Sequence, residues 1–152
     1  MLVNNCLECD ILTGKLDTPG GVVYEDNYWV VRNPLSPLVL PGYLILRLKR
    51  HCEQLADLTP EETATLGPTL QKTCKAIMHV VHPVKIYVGS FGEDVAHIHF
   101  HIIPRMHDMP MGSIQVLGYI QERRASYRAG QKDIACSDAE AIALAEQLRV
   151  EF

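Results

Sequence analysis

The sequence predicts an α+β fold, in which short antiparallel strands share the chain with two capped helices. Apolar runs at residues 22–24 and 28–32 flank turn residues and predict a first β-hairpin. Residues 84–88 and 97–103 flank a glycine-bearing turn and predict a second hairpin, and residues 43–48 predict one further strand. Hairpin pairing makes the joined strands antiparallel.

Two capping boxes predict where the helices begin. The sequence TPEE at Thr59 places a glutamate three residues after a capping threonine, with proline at the first helical position. Apolar spacing then predicts a long helix to about residue 81. The sequence SDAE at Ser137 predicts a C-terminal helix through residue 149, whose buried face carries Ile142, Ala145 and Leu148.

Other stretches are predicted to be irregular. Residues 33–42 contain three prolines and predict a loop, whose apolar side chains we expect to lie against a ligand pocket or a partner. Residues 105–118 are predicted as a loop, and residues 116–122 as a late strand. Pro104 is expected to end the strand before it, because proline donates no backbone hydrogen bond.

Composition narrows the class of protein. A chain of 152 residues, 47% hydrophobic and 21% charged, predicts a single soluble domain over residues 1–152. There is no apolar run of ~18 residues and no secretory signal pattern, so we expect a cytoplasmic protein without a membrane span. A net charge of −4 without a basic run argues against a nucleic-acid polymer as partner, although a small anion can still bind a locally positive site.

The five cysteines predict reduced thiols or metal ligands, because an odd number without an export signal does not suggest a disulfide framework. Cys6 and Cys9 form a C-x-x-C pair, spaced to share one tetrahedral zinc ion. Such a pair supplies only half of a structural zinc site. From the pair alone, a zinc site and two cysteines without a role near the chain terminus remain alternatives.

The segment HIHFHII, which begins at His97, predicts a half-buried strand. Because side chains alternate along a strand, His97, His99 and His101 share one face, about 6–7 Å apart. An ordinary polar face rarely requires three histidines. Two chemical interpretations remain open: a three-histidine catalytic metal site, and a histidine nucleophile flanked by two imidazole partners.

These motifs resemble the histidine-triad (HIT) family over roughly residues 6–106. HIHFHII matches the family's defining alternation of histidine and apolar residues, and it continues into a common I-P-R ending. The helix that begins after Thr59 matches the family's T-x-E-E start. Further matches lie upstream, in the opening hairpin at residues 23–26, in PGYLI at residues 41–45 and in KRH at residues 49–51.

The resemblance implies an antiparallel sheet of about five strands with a long central helix, and usually a homodimer. It also implies hydrolysis or transfer of nucleotides at the α-phosphate through a nucleotidyl-histidine intermediate. His99 matches the nucleophile, and His101 could then hydrogen-bond the phosphoryl oxygens. We expect a backbone carbonyl to fix the tautomer of His99.

One branch of the family carries an N-terminal C-x-x-C and binds zinc. The residues that match its four ligands are Cys6, Cys9, His51 and His97. A Cys₂His₂ set is a closed structural site without an open position for water. The resemblance therefore favours structural zinc over a three-histidine catalytic metal.

The expected substrate contacts include the turn before the triad, and here the sequence departs from the family. The turn comprises Gly92, Glu93, Asp94 and Val95, and Asn33 matches a residue that lies near the ribose. Glu93 and Asp94 replace the usual glutamine and serine or threonine, which donate hydrogen bonds that an ionised carboxylate cannot donate.

Three interpretations of this acidic turn are open. The carboxylates could hold a cation such as Mg²⁺ that bridges to the substrate, they could turn outward, or they could reduce or redirect activity. The last interpretation motivates an alternative function, namely a non-catalytic or weakly active nucleotide-binding protein on the same scaffold.

Overall fold

A computed structural model describes residues 5–35 and 37–152, which form one five-stranded antiparallel sheet and four α-helices. The strands lie in the order β1-β2-β3-β5-β4. Their bounds are β1 Val22–Glu25, β2 Trp29–Arg32, β3 Leu44–Leu48, β4 Lys85–Gly89 and β5 His99–Arg105. The helices are α1 Leu7–Leu12, α2 Pro60–Val81, α3 Ser113–Arg128 and α4 Asp138–Arg149. The predicted fold class and both predicted hairpins are confirmed.

One face of the sheet packs on α2 and α4, and the largest apolar cluster lies between them. Trp29 and Leu148 are completely buried there, and the Trp29 indole donates to the Glu62 carbonyl on α2 at 3.2 Å. The capping box at Thr59 forms as predicted, and a single helix continues through Pro68. In α4 the buried face carries Ala141 where the sequence predicted Ile142; that isoleucine is 43% exposed.

The second face of the sheet is partly covered by α3, which the sequence did not predict. Residues 116–122 form no strand, since they lie within this 16-residue helix. The segment VLGYI contains four apolar or aromatic residues, a composition that is typical of a strand. Of these, only Val116 and Ile120 are buried, and they lie one helical turn apart. They pack in a second apolar cluster against Ile45 and Ile103 of the sheet.

The histidine strand β5 begins two residues later than predicted, at His99, and Pro104 does not end it. Leu48 N–H donates to the Ile98 carbonyl at 3.4 Å, so the even-numbered residues of this strand direct their backbone groups toward β3. The last residue of β5 paired with β3 is Ile102, opposite Leu44. Because pairing with β3 ends before residue 104, the missing N–H group of Pro104 removes no hydrogen bond between β5 and β3. Pro104 still pairs in register with Ile86 of β4.

Among the described residues, no helix is long and apolar enough to cross a bilayer.

Candidate active site and metal centre

A cavity of about 580 Å³ lies over the second face of the sheet, beneath α3. The sheet contributes the catalytic candidates His99 and His101. Ile45 and Arg47 of strand β3, and Tyr43 just before it, lie on the same side. The other walls come from α1, the proline-rich loop, the acidic turn and α3, and they include Leu7, Glu8, Ile11, Pro34, Leu35, Pro37, Phe91, Gly92, Glu93, Asp94, Val95, Leu117, Ile120, Gln121, Arg124 and Arg128. The expectation that the proline-rich loop lies against a pocket therefore agrees with its position.

His99 lies at the start of strand β5, which pairs with β3 and β4, and is 6% exposed. Its Nδ1 lies 2.6 Å from the backbone carbonyl oxygen of His97. A carbonyl only accepts, so Nδ1 carries the proton and Nε2 holds the lone pair. This is the carbonyl contact that the sequence predicted. It leaves the Nε2 lone pair of His99 directed toward His101.

His101 lies beside His99, with the two Nε2 atoms 3.2 Å apart. Its Nδ1 lies 2.5 Å from the Tyr43 hydroxyl oxygen. Burial, with smaller contributions from His99, Arg124 and Arg47, lowers the pKa of His101 to about 4. His101 is therefore neutral near pH 7 and can donate one hydrogen bond through Nε2.

Tyr43 is a site residue that the sequence motifs did not indicate. It is 4% exposed, and burial raises the pKa of its hydroxyl. The strand register contains the signal that could have found it. Ile45 pairs with His101 and Arg47 with His99, so alternate residues 43, 45 and 47 share the histidine face.

Arg47 and Glu8 form a second feature that was not predicted, a buried ion pair beside His99. The two residues are 0% and 3% exposed, and the guanidinium Nε donates to the Glu8 carboxylate. Arg47 also donates to the Ile45 carbonyl at 3.2 Å. Burial lowers the pKa of Arg47, and the charge of Glu8 opposes that change. Because Glu8 belongs to α1, the pair connects this short helix to the catalytic face.

The four predicted metal ligands Cys6, Cys9, His51 and His97 come together in one cluster. Their ligand atoms all lie within 4.8 Å of one another. The His97 Nδ1 atom lies 3.5 Å from each cysteine sulfur, and His51 Nδ1 lies 3.5 Å from the Cys9 sulfur. In a tetrahedral zinc site, Zn–S and Zn–N bonds of ordinary length place S and N about 3.6 Å apart. The cluster therefore has the dimensions and the donor set of a zinc site.

The hydrogen bond of the second ring nitrogen of His97 supports Nδ1 as the metal-binding atom. Nε2 lies 2.8 Å from the Leu48 carbonyl oxygen, so it carries the proton and leaves Nδ1 with the lone pair. Burial lowers the pKa of His97, which favours the neutral form that a metal ion binds. None of the five cysteines, all within the described ranges, forms a disulfide.

The acidic turn lies between the two sites. Gly92, Glu93, Asp94 and Val95 line the cavity beneath α3, and the last three also line a neighbouring cleft beside the cysteine–histidine cluster. Glu93 and Asp94 are solvent-exposed. The turn is thus brought to the histidines as predicted, with its carboxylates at the solvent boundary.

Asn33 is placed differently from the other expected substrate contacts. It is 1% exposed, and its amide Nδ2 donates to the Pro19 carbonyl at 2.8 Å. The neighbouring Pro34 lines the cavity, whereas Asn33 does not. Its contact with a ribose stays a prediction.

An antiparallel sheet whose strand β5 carries two histidines at a cavity, preceded by a third histidine in a thiol cluster, defines a protein of the histidine-triad class. A family model described as the HIT domain matches residues 15–108, which is more than half of the chain. The chain therefore belongs to the HIT domain family. The Bacillus subtilis protein named Protein hit is 30% identical over 106 residues, with coverage of 66% of this chain and 71% of that relative.

Other similarities are more distant or more partial. The AP-4-A phosphorylase of Mycobacterium tuberculosis is 34% identical over 93 residues, or 53% of this chain and 48% of that protein. A Hit-like protein from Bartonella henselae has a TM-score of 0.71 at 21% identity, over 99% of this chain and 98% of that chain. A Zn-bound histidine triad family protein from Mycobacterium smegmatis has a TM-score of 0.60 at 18% identity, over 80% of this chain and 97% of that chain. The two solved structures support the fold.

Proposed function

We propose that the protein is a nucleotidyl hydrolase or transferase that cleaves at the α-phosphate of a nucleotide conjugate or a dinucleoside polyphosphate. One observation carries the proposal: His99 donates from Nδ1 to the His97 carbonyl at 2.6 Å, which leaves its Nε2 lone pair beside His101 at the cavity. The family relative named AP-4-A phosphorylase supports a dinucleoside polyphosphate as one substrate class.

The proposed reaction has two steps. His99 Nε2 attacks the α-phosphorus, so a P–N bond forms while the bond to the leaving-group oxygen or nitrogen breaks and that atom keeps the electron pair. Water or a second acceptor then attacks phosphorus, the P–N bond breaks with its electron pair returning to His99 Nε2, and the proton of the attacking group is released to solvent. His101 donates from Nε2 to a phosphoryl oxygen in both steps.

We assign the remaining substrate contacts to the acidic turn. The backbone N–H groups of Asp94 and Val95 are candidate donors to the phosphate, because this turn shares the cavity with His99. Gly92 has a φ of 67°, which favours glycine at the bend. The exposed Glu93 and Asp94 carboxylates could accept a Mg²⁺ ion that arrives with the substrate.

We also propose that Cys6, Cys9, His51 and His97 hold a structural zinc ion. The donor set and the 3.5 Å spacings between sulfur and nitrogen support this assignment. The Zn-bound family protein from Mycobacterium smegmatis is consistent with it. When bound, the zinc ion would be enclosed by these four ligands, with no open position for water. It would link helix α1 to the segments that contain His51 and His97, and it would take no part in the reaction at phosphorus.

The homodimer implied by the family is a further proposal. Strand β4 lies at the sheet edge; Val88 within it and Val84 just before it are 45% and 41% exposed. Such an edge favours association. Light scattering that gives the mass of one chain would contradict the dimer. The cytoplasmic location stays a prediction.

The direct test of the reaction is to trap the intermediate. Wild type and His99→Ala are incubated with AP-4-A and with a nucleoside phosphoramidate, each labelled at the α-phosphate, and quenched in alkali to preserve the acid-labile adduct. We expect a labelled adduct that peptide mapping places on His99 and that His99→Ala lacks. His79→Ala is the matched control, because its ring pairs with Glu151 at the protein surface.

A non-catalytic nucleotide-binding protein is the second candidate, and the exposed carboxylates of Glu93 and Asp94 favour it. The same experiment separates the two functions. Nucleotide binding by wild type without adduct or turnover on either substrate would contradict the enzyme and support the binder.

A further inference from the structure

We infer that Tyr43 is a positioning residue for His101 and that Arg124 on helix α3, which lies over the Tyr43 ring, supports this contact. This inference rests on the proposed function, in which His101 donates to the phosphoryl group. It assigns the orientation of that donor to a tyrosine and to a helix outside the matched HIT domain, which ends at residue 108.

The geometry begins at the Tyr43 hydroxyl. Its oxygen lies 2.5 Å from His101 Nδ1, and the two ring centres are 5.9 Å apart. Tyr43 is 4% exposed, so solvent does not compete for the hydroxyl. A short bond in a dry environment fixes the rotation of a histidine ring effectively.

The direction of this hydrogen bond follows from the neighbouring contacts. His99 Nδ1 donates to the His97 carbonyl, so His99 Nε2 can only accept. The His101 Nε2 atom lies 3.2 Å from that acceptor and must therefore carry the proton. A neutral imidazole has one N–H, so His101 Nδ1 accepts and the Tyr43 hydroxyl donates. The resulting chain directs an N–H group of His101 toward the reacting centre.

Arg124 lies over the Tyr43 ring, with its guanidinium carbon 5.9 Å from the ring centre. Its positive charge acts to lower the pKa of the Tyr43 hydroxyl, against the larger effect of burial, which raises that pKa. A nearby cation therefore polarises the O–H bond and strengthens its donation to His101. Within the described ranges, Arg124 forms no ion pair that would remove its charge from this interaction.

The alternative is that Tyr43 only fills space, since it belongs to the second apolar cluster. Tyr43→Phe tests this alternative directly, because phenylalanine keeps the ring and removes only the hydroxyl. Tyr43→His offers a rescue, since an imidazole can also donate to His101. Tyr119→Phe is the matched control: Tyr119 also packs on the second cluster, lies beside Arg123 on α3, and does not line the cavity.

The first measurement uses ¹⁵N-labelled, zinc-loaded full-length protein. Long-range ¹H–¹⁵N spectra report the tautomer of His101, assigned by its loss in His101→Gln. We expect the Nε2–H tautomer in wild type and in Tyr119→Phe, and mixed tautomers with altered Nδ1 shifts in Tyr43→Phe. The Nδ1–H tautomer in wild type, or an unchanged His101 spectrum in Tyr43→Phe, would overturn the inference.

The second measurement is turnover of the two substrates used for the trapping experiment. We expect kcat to fall about 10- to 100-fold in Tyr43→Phe, with KM nearly unchanged, and to recover at least in part in Tyr43→His. An equal loss in Tyr119→Phe, or no loss in Tyr43→Phe, would overturn the positioning role. If wild type turns over neither substrate, the proposed reaction fails, and the spectra still decide whether Tyr43 orients His101.

Discussion

Arg47 and Glu8 illustrate how a single pair of residues can link two sites. Arg47 pairs in register with His99, and Glu8 lies between the metal-ligand candidates Cys6 and Cys9. A buried ion pair is expensive to break, because loss of either partner leaves an uncompensated charge at a cost of about 3–5 kcal/mol. The position of α1 and the surroundings of His99 are therefore energetically linked.

Glu93 and Asp94 have a smaller electrostatic effect than their sequence position suggests. Both carboxylates are exposed at the boundary between the catalytic cavity and the cleft beside the thiol cluster. Water and salt screen exposed charges, so their repulsion of a phosphate is reduced. The outward orientation is one of the three interpretations drawn from the sequence, and an exposed pair also remains able to bind a cation.

At the scale of single residues, we predict that removal of one cysteine thiolate abolishes zinc binding. We expect purified wild type to contain about one zinc ion per chain and Cys6→Ser to lose it, because three ligands cannot close the structural shell. Elemental analysis after gel filtration measures the zinc content. Cys136→Ser is the control, since Cys136 lies outside the cluster. Metal-free wild type that is equally stable after chelation would refute the structural site.

At the level of elements, local sequence determined the hairpins and the capped helices but not α3. The β1–β2 turn depends on Asp26, whose carboxylate accepts from the backbone of Tyr28 and Trp29 at 2.8 and 2.7 Å. Such short-range devices are visible in a sequence. Helix α3 lacks a side-chain cap at Gly112 and contains Gly118, so tertiary packing of Val116 and Ile120 is needed to define it.

Gly118 offers a prediction about the stability of this helix. A Cβ atom added there meets nothing within 4 Å. Gly118→Ala should therefore raise the free energy of unfolding by about 0.5–1 kcal/mol, because alanine has less backbone entropy to lose in a helix. Urea denaturation measures the change.

Gly20→Ala is the contrasting variant and should destabilise the protein. Gly20 has a φ of +81°, and its added Cβ would lie 2.5 Å from the Ala145 Cβ on α4. A loss of stability in Gly118→Ala would show that α3 does not hold this glycine in an open helical position.

At the scale of the whole molecule, the sequence predicted which residues meet but not what surrounds them. The resemblance to the zinc-binding branch of the family implied that Cys6, Cys9, His51 and His97 meet, and the fold brings them together. The resemblance could not predict Tyr43 against His101 or Arg124 against Tyr43. Those contacts depend on strand register and on the packing of α3, neither of which has a short-range signature.

Stability should also depend on pH through His101. Its pKa in the folded protein is about 4, below the usual value of 6.5. Below pH 6.5 the unfolded chain therefore binds a proton that the folded protein does not accept until about pH 4. The stabilisation is complete above pH 6.5 and is lost as the pH falls from 6.5 toward 4.

Urea denaturation at pH 7.5 and pH 5 tests this dependence. The free energy of unfolding should fall less in His101→Gln than in wild type, by about 1–2 kcal/mol. His79→Gln is the control, because its exposed ring should leave the wild-type decrease largely intact. Equal decreases in wild type and His101→Gln would contradict the assignment.

His97 contributes its ring to the thiol cluster and its backbone carbonyl to His99. An alanine substitution deletes the first contribution and chemically retains the second. Any change that His97→Ala causes in the tautomer of His99 would therefore have to be transmitted by movement of the main chain. In His97→Ala, the tautomer of His99 would therefore measure how rigidly the cysteine–histidine cluster fixes the backbone at the start of strand β5.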